Sequence, residues 1–276
     1  STTHTKSITP KFDSAMPSIT IPSREYTVSF DKNGGTVSSS SLVSNYKFEG
    51  YYYDSTQYYT STGSSARNWD KASAVTLNAS WSGGAITLPN ATREGYLLEG
   101  WYTAASGGTK VGSGGDSYAP SSNITLYPRW TPITYYIKFV PGTGTGTMSQ
   151  MTMRFGEVKK LTANSFTKTG YSFSKWSGSN GTYYDNNSEV SNLTTTNGNT
   201  ITMTATWSGN KYTAELNANG ATSTNHTTSV SVTYDAAMPS IVIPSRSLVV
   251  SYNANMGNVS PTSSSAVSKF NGYNID

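Results

Sequence analysis

Apolar and polar residues alternate through most of this chain, and the alternation predicts strands. Tyr26-Thr27-Val28-Ser29-Phe30, Tyr212-Thr213-Ala214-Glu215-Leu216 and Ser229-Val230-Ser231-Val232-Thr233-Tyr234 each place every second side chain on one face, the pattern of a half-buried strand. Asn33-Gly34, Asn180-Gly181, Asn197-Gly198 and Asn219-Gly220 supply the positive φ angles that tight hairpins need. No stretch sustains helical periodicity; the one place where a short helix is expected is residues 155–164. The predicted class is mainly β with little helix.

Two phrases recur. Three alternating segments end in Trp and a short linker: Thr76 to Trp81, Thr125 to Trp130, and Thr202 to Trp207. A second phrase precedes them, as Gly95-Tyr96-Leu97-Leu98-Glu99-Gly100-Trp101-Tyr102, Gly170 to Trp176, and in weaker form Lys47-Phe48-Glu49-Gly50-Tyr51. Strict period-2 spacing puts Tyr96, Leu98 and Gly100 on one face and Leu97, Glu99 and Trp101 on the other. The phrases divide the chain into 1–82, 83–131, 132–208 and 209–276. Modules this small bury little surface, so Trp81, Trp101, Trp130, Trp176 and Trp207 are expected in separate cores.

Shifted by 222 residues, residues 223–276 fall on 1–54 without a gap. Asp13 to Ile19 meets Asp235 to Ile241, and Ile21-Pro22-Ser23-Arg24 meets Ile243-Pro244-Ser245-Arg246. Since an insertion in either copy would slip a strand register, residues 13–50 and 235–272 are expected to share one backbone path. Repetition on this scale favours an array that spans distance or multiplies a weak contact. Residues 1–81 lack a counterpart of Tyr212–Gly220, and 211–276 lack a counterpart of Ser55–Trp81. Two readings stay open: the missing strands lie next door in a longer array, or copies associate head to tail by strand addition.

Tyr26 to Val37, with its Asn33-Gly34-Gly35 hairpin, resembles the opening of the Listeria–Bacteroides repeat, the internalin B B-repeat family. Thr87 to Tyr96, Gly100-Trp101-Tyr102-Thr103, Gly107 to Val111 and Leu126 to Trp130 complete the family phrase. The resemblance implies tandem β-grasp-like modules in an elongated array on bacterial surface or secreted proteins, serving spacing or adhesion, with no shared catalytic residues. The segment 83–131 departs from it, lacking an opening Asn-Gly-Gly hairpin, so it is either shortened or leans on its neighbour.

Composition narrows the chemistry. Charged residues make up 12% of the chain and tyrosines number 20, which separates it from charge-rich, aromatic-poor disordered tails. The net charge of +4 is spread out, so no nucleic-acid footprint is expected. With no cysteine, disulfides and thiolate metal sites are excluded. No apolar run approaches the roughly 20 residues of a membrane span, and neither end carries a signal or anchor pattern; such elements are expected outside this stretch.

His4 and His226 occupy one repeat position without ligand-spaced neighbours, so no metal or cofactor is expected. Gly142 to Gly146 lacks the Gly-Lys-Ser/Thr ending of a phosphate loop, and Asp31 to Gly35 lacks the acidic ligands of a calcium loop. Asp185 to Glu189 is oxygen-rich but reads best as a solvated turn. No catalytic set converges.

Exposed aromatics are the remaining surface chemistry. In strands, the pairs Tyr52-Tyr53, Tyr58-Tyr59 and Tyr183-Tyr184 should each turn a ring outward, making them candidates for contact with a glycan or a surface protein. Two functions follow for an extracellular or cell-surface bacterial segment: a stalk, fibre or surface-layer element, or an adhesin acting through these tyrosines.

Overall fold

The structure, a computed structural model, describes residues 3–251 and the backbone of 263–269. Among them every regular element is a strand, as the alternation predicts. Residues 155–164 correct the helix expectation. They hold the short strand Lys159–Lys160, paired antiparallel with Glu189–Val190, and Leu161 is fully buried. An isolated run this short cannot offset the cost of helix nucleation, so tertiary burial of Leu161 decides.

The chain forms two compact units. One reaches from the N-terminal residues to Tyr135 and includes 154–157 and 194–199; the other holds Tyr136–Met153, Val158–Leu193 and the residues from Thr200 on.

In the first unit a seven-stranded sheet runs in the order Thr56–Tyr59, Ser41–Tyr53, Arg24–Phe30, Ile124–Pro132, Tyr96–Tyr102, Lys110–Gly112, with Asn78–Gly83 also on Ser41–Tyr53. Arg24–Phe30 lies antiparallel to the first half of Ser41–Tyr53. On its other side it runs parallel to Ile124–Pro132, Val28 opposite Ile124 and Phe30 opposite Leu126. The second half of Ser41–Tyr53 pairs instead with Asn78–Gly83, Phe48 opposite Trp81.

Two modules are therefore interleaved in sequence. Residues 3–23 and 47–83 build a first module around Met16, Tyr58, Tyr59 and Trp69. Residues 24–46 and 84–132 build a second around Val28, Phe30, Leu88, Trp101 and Leu126. The 13-residue strand Ser41–Tyr53 belongs to both. The stretch 83–131 has no opening hairpin of its own because Arg24–Phe30 and the hairpin at Asn33-Gly34 serve it.

A bulge changes the face assignment of the second recurring phrase. Arg129 lies opposite Gly100 and Trp130 opposite Leu98, so Glu99 is left over. One extra residue flips the alternation. Trp101 therefore turns inward on the side of Leu98 and is fully buried, while Leu97 is 47% exposed. The first module repeats the device, with Phe48 opposite Trp81, Gly50 opposite Ser80, and Glu49 left over. Both bulges need glycine: φ is +145° at Gly100 and +138° at Gly50, where a Cβ would strike the Tyr59 carbonyl.

A third module occupies 134–209, within which the order Met151–Arg154, Thr134–Val140, Thr200–Gly209, Tyr171–Gly178, Tyr183–Tyr184 repeats that of the second. The parallel register is the same, Ile137 opposite Ile201 and Phe139 opposite Met203. Phe139 packs on Trp176 with ring centroids 4.9 Å apart, as Phe30 does on Trp101 at 4.9 Å.

After it, Lys211–Glu215 pairs antiparallel with Ser229–Thr233, and Ser245–Ser251 with Ser263–Lys269. This last hairpin keeps the register of the first: Arg24 faces Tyr46, and Arg246 faces Ser268, both shifted by one period. The remainder of the expected shared path, at 252–262 and 270–272, lies outside the described residues.

Candidate interaction surface

The first module holds a concavity, a cleft of about 830 Å³. Residues 4–10 and Phe12 form one wall and 71–77 the other, over a floor of Tyr51, Tyr59 and Trp69. Its position follows from the module plan. Tyr51 stands three residues after Phe48, as Trp101 stands three after Leu98 across the same bulge. Val75 and Leu77 precede Trp81 as Ile124 and Leu126 precede Trp130. In the second module Arg24–Phe30 covers these positions and Leu126 and Trp101 are fully buried. In the first module no strand among the described residues covers them, and Leu77 and Tyr51 are half-buried.

A polar cluster meets the cleft through Lys71. The Tyr58 hydroxyl donates to Asp70 Oδ1, and Asp70 also meets Arg67 at 3.0 Å and Lys71 at 3.3 Å. The Tyr58 hydrogen bond, followed by these two cations, holds the Asp70 carboxyl below its usual range. Lys71 is raised, first by Tyr58 and then by Asp70. Burial pushes the Tyr51 and Tyr59 phenols up. Of this cluster Lys71 lines the cleft, beside the aromatic floor.

The tyrosines read as partner contacts separate. Tyr58 and Tyr59 are core residues, with exposures of 0% and 1%. Strand Thr56–Tyr59 is covered on both faces: Trp69 stacks edge-on against Tyr58, while Tyr59 meets Tyr51 and donates to the Pro17 carbonyl at 2.7 Å. Tyr52, Tyr53 and Tyr184 are half-buried, and Tyr183 is 64% exposed.

The tryptophans separate too. Trp101 and Trp176 are fully buried. Trp81, Trp130 and Trp207 hold equivalent closing-strand positions opposite Phe48, Leu98 and Phe173, but they are half-buried. Trp130 and Trp207 act as lids on the opening hairpins, donating to the Asn33 carbonyl at 3.1 Å and the Pro141 carbonyl at 2.9 Å. At Gly35 and Gly144 a Cβ would land on those indoles. Trp69, Asp70 and Lys71 were not singled out by sequence pattern; the signal available was the apolar Trp beside a charged pair in the least alternating part of the module.

Among the described residues no group of three or more His, Asp or Glu side chains is close enough to hold a metal ion. His226 Nδ1 lies 2.9 Å from the Ser223 carbonyl, a local turn contact.

The family model for the Listeria-Bacteroides repeat domain matches residues 59–128 and 135–206, just over half of the chain. The second match coincides with the third module; the first begins inside the first module and runs into the second, because the strand that opens the second lies upstream at Arg24–Phe30. No solved structure matches the chain. The family is one of repeat domains typical of bacterial surface proteins, and it is not an enzyme family. The chain belongs to the Listeria-Bacteroides repeat domain family.

Proposed function

We propose that this chain is a non-enzymatic spacer segment of a secreted or cell-surface bacterial protein, a structural element of a stalk, fibre or surface layer. The observation that carries this reading is a junction built twice in the same way. Where the second module hands over to the third, Ile133 N donates to Gly95 O at 2.9 Å and Phe155 N to Ile133 O at 3.0 Å. Where the third hands over to the tail, Asn210 N donates to Gly170 O at 2.9 Å and Tyr234 N to Asn210 O at 2.9 Å. An aromatic ring closes each junction, Phe155 against Tyr96 at 5.7 Å and Tyr234 against Tyr171 at 5.4 Å.

Like local contacts recurring from one module to the next are what a nearest-neighbour repeat array is built on. The adhesin reading draws less support, since two of its six tyrosines are core and only Tyr183 is well exposed. Small-angle X-ray scattering tests the proposal. A compact domain of this length has a radius of gyration of about 19 Å. A spacer should exceed it by about a third or more, and a value at the compact limit would overturn the reading.

A further inference from the structure

We propose that the outward face of the second module's sheet binds an acidic sugar chain, Arg129 and Lys110 receiving a carboxylate and the Tyr127 ring taking the sugar. Tyr102 and Tyr127, the tyrosines of this face, are not among the pairs that the sequence marks out.

Alternation about two buried residues sets the face. Leu126 and Trp101 are fully buried, so Tyr127 and Tyr102, next along their strands, turn outward, and they stand directly opposite each other. Arg129 turns to the same side and lays its guanidinium on Tyr102, Cζ 3.8 Å from the ring centroid. Lys110 lies opposite Tyr102 on the next strand. Its side chain crosses Gly100, where a Cβ would sit 2.4 Å from Lys110 Cε, and Gly100 is the residue opposite Arg129. The two cations therefore share one spot on the sheet.

No anion of the chain answers them. Among the described residues no carboxylate pairs with either cation. Glu99, the acid beside Gly100, accepts instead from the Thr131 hydroxyl. Arg129 Nε is buried and meets no acceptor among the described residues, and Nη2 donates only to the Ala104 carbonyl, at 3.4 Å. Two like charges held together with donor capacity left over are stabilised by an anion, and a guanidinium beside an ammonium suits a carboxylate.

The fold does not require this arrangement, as the third module demonstrates. Thr206 precedes Trp207 as Arg129 precedes Trp130, and Thr204 faces Ser177 as Tyr127 faces Tyr102. The Thr206 hydroxyl donates to the Lys175 carbonyl at 2.8 Å, and the Lys175 ammonium pairs with Asp185 at 3.3 Å. Small hydroxyl residues complete the same backbone there, so the aromatic and cationic set of the second module is surplus to packing.

Charge selects the class of ligand. The second module, residues 24–46 and 84–132, has five cations and five carboxylates. A neutral module with a single cationic spot does not suit nucleic acid or an anionic membrane, which reward many cations spread over a surface. It suits isolated carboxylates along a chain. Arg129 occupies the Tyr102 ring, which leaves Tyr127 for a sugar face, and Ser29 and Thr125, opposite each other on the same outward side, offer hydroxyls to sugar hydroxyls.

The full chain, titrated against immobilised oligosaccharides of galacturonate, mannuronate, hyaluronan and sialic acid, tests this. At least one should bind, and its neutral methyl ester should bind roughly tenfold more weakly or worse. Arg129→Thr and Tyr127→Thr, which copy the third module, should each weaken that binding roughly tenfold or more with little change in unfolding midpoint. If Arg129→Thr is unstable, Arg129→Gln should give the same loss. Lys138→Thr, which removes an exposed cation from the third module, should leave binding intact. Binding of none of these sugars, undiminished binding by the Arg129 or Tyr127 variants, an equal loss in Lys138→Thr, or equally tight binding of polyphosphate would each overturn the proposal. The spacer reading is judged by scattering and is untouched by any of these outcomes.

Discussion

Met16 and Met238 occupy one position in two copies of the same phrase, yet Met16 is 4% exposed and Met238 is 63% exposed. Their backbones agree. The turn bonds are the same, Ser14 N to Lys11 O at 3.2 Å and Ala236 N to Thr233 O at 3.1 Å, as are the positive φ angles at Asp13 and Asp235. What differs is company. Around Met16 the returning residues 47–77 supply Tyr58, Tyr59 and Trp69; among the described residues nothing equivalent returns over Met238. Residues 229–233, for their part, pair with Lys211–Glu215. Turns and hairpin register are thus written locally, whereas burial is conferred by strands that arrive from far along the chain.

The largest effect that would break this comparison is asymmetric. Met16→Ala should cost about 2–5 kcal/mol, the usual range for emptying a buried methionine site. Met238→Ala should stay within about 0.5 kcal/mol, as for surface positions. Thermal or denaturant unfolding of the two single variants checks it, followed by a fluorophore on a single cysteine introduced at the exposed Lys11 of the first module, since the chain has no cysteine of its own. Equal losses would mean that the second copy is packed in solution as the first is.

A smaller, symmetric effect would sharpen the same point. Asp13 and Asp235 each follow an aromatic residue at positive φ, and Gly156 follows Phe155 in the third module at +84°. Glycine relieves left-handed strain while adding unfolded-state entropy, so the gain is a fraction of the strain. Asp13→Gly, and Asp235→Gly compared within a Tyr171→Phe background because the Tyr171 hydroxyl donates to Asp235 at 3.0 Å, should each stabilise by about 0.5 kcal/mol, with additive effects when combined. A gain in one copy and a loss in the other, measured by denaturant midpoint, would show that the local conformations differ after all.

Legibility in the sequence follows the same division. Alternation located the strands at Tyr26–Phe30, Tyr212–Leu216 and Ser229–Tyr234, and the Asn-Gly pairs marked real turns, with Asn33 at φ 40° and Asn219 at 42°. These are contacts between near neighbours. The parallel pairing of Arg24–Phe30 with Ile124–Pro132 has no local mark, since nothing in either strand names a partner about a hundred residues away, and the interleaving of the first two modules stayed hidden with it. The bulge at Glu99 also escaped period-2 logic, although Gly100 beside it was a legible hint. That Tyr58 and Tyr59 would both be buried was not legible, because the segment covering Tyr58, residues 65–71, is nearly patternless.

The smallest expected effect is one of pH, and it belongs to the first copy alone. Asp70 is depressed by the Tyr58 hydroxyl and then by Lys71 and Arg67. A carboxylate lowered in the folded state contributes stability above its unfolded value, near 4, and loses it as pH falls through the folded value. The cluster is solvent-accessible, so its contribution is screened and should fade in high salt. Unfolding followed through a fluorophore in the first module should therefore show an acid limb below about pH 4. Asp70→Asn should flatten that limb while leaving unfolding at neutral pH only slightly easier. No described residue gives the second copy a counterpart of Asp70, so a probe placed in 227–251 should show no matching change between wild type and variant. A parallel shift there would mean that the acid limb comes from the chain's overall charge rather than from the Tyr58–Asp70–Lys71 cluster, and the electrostatic contrast between the copies would fall with it.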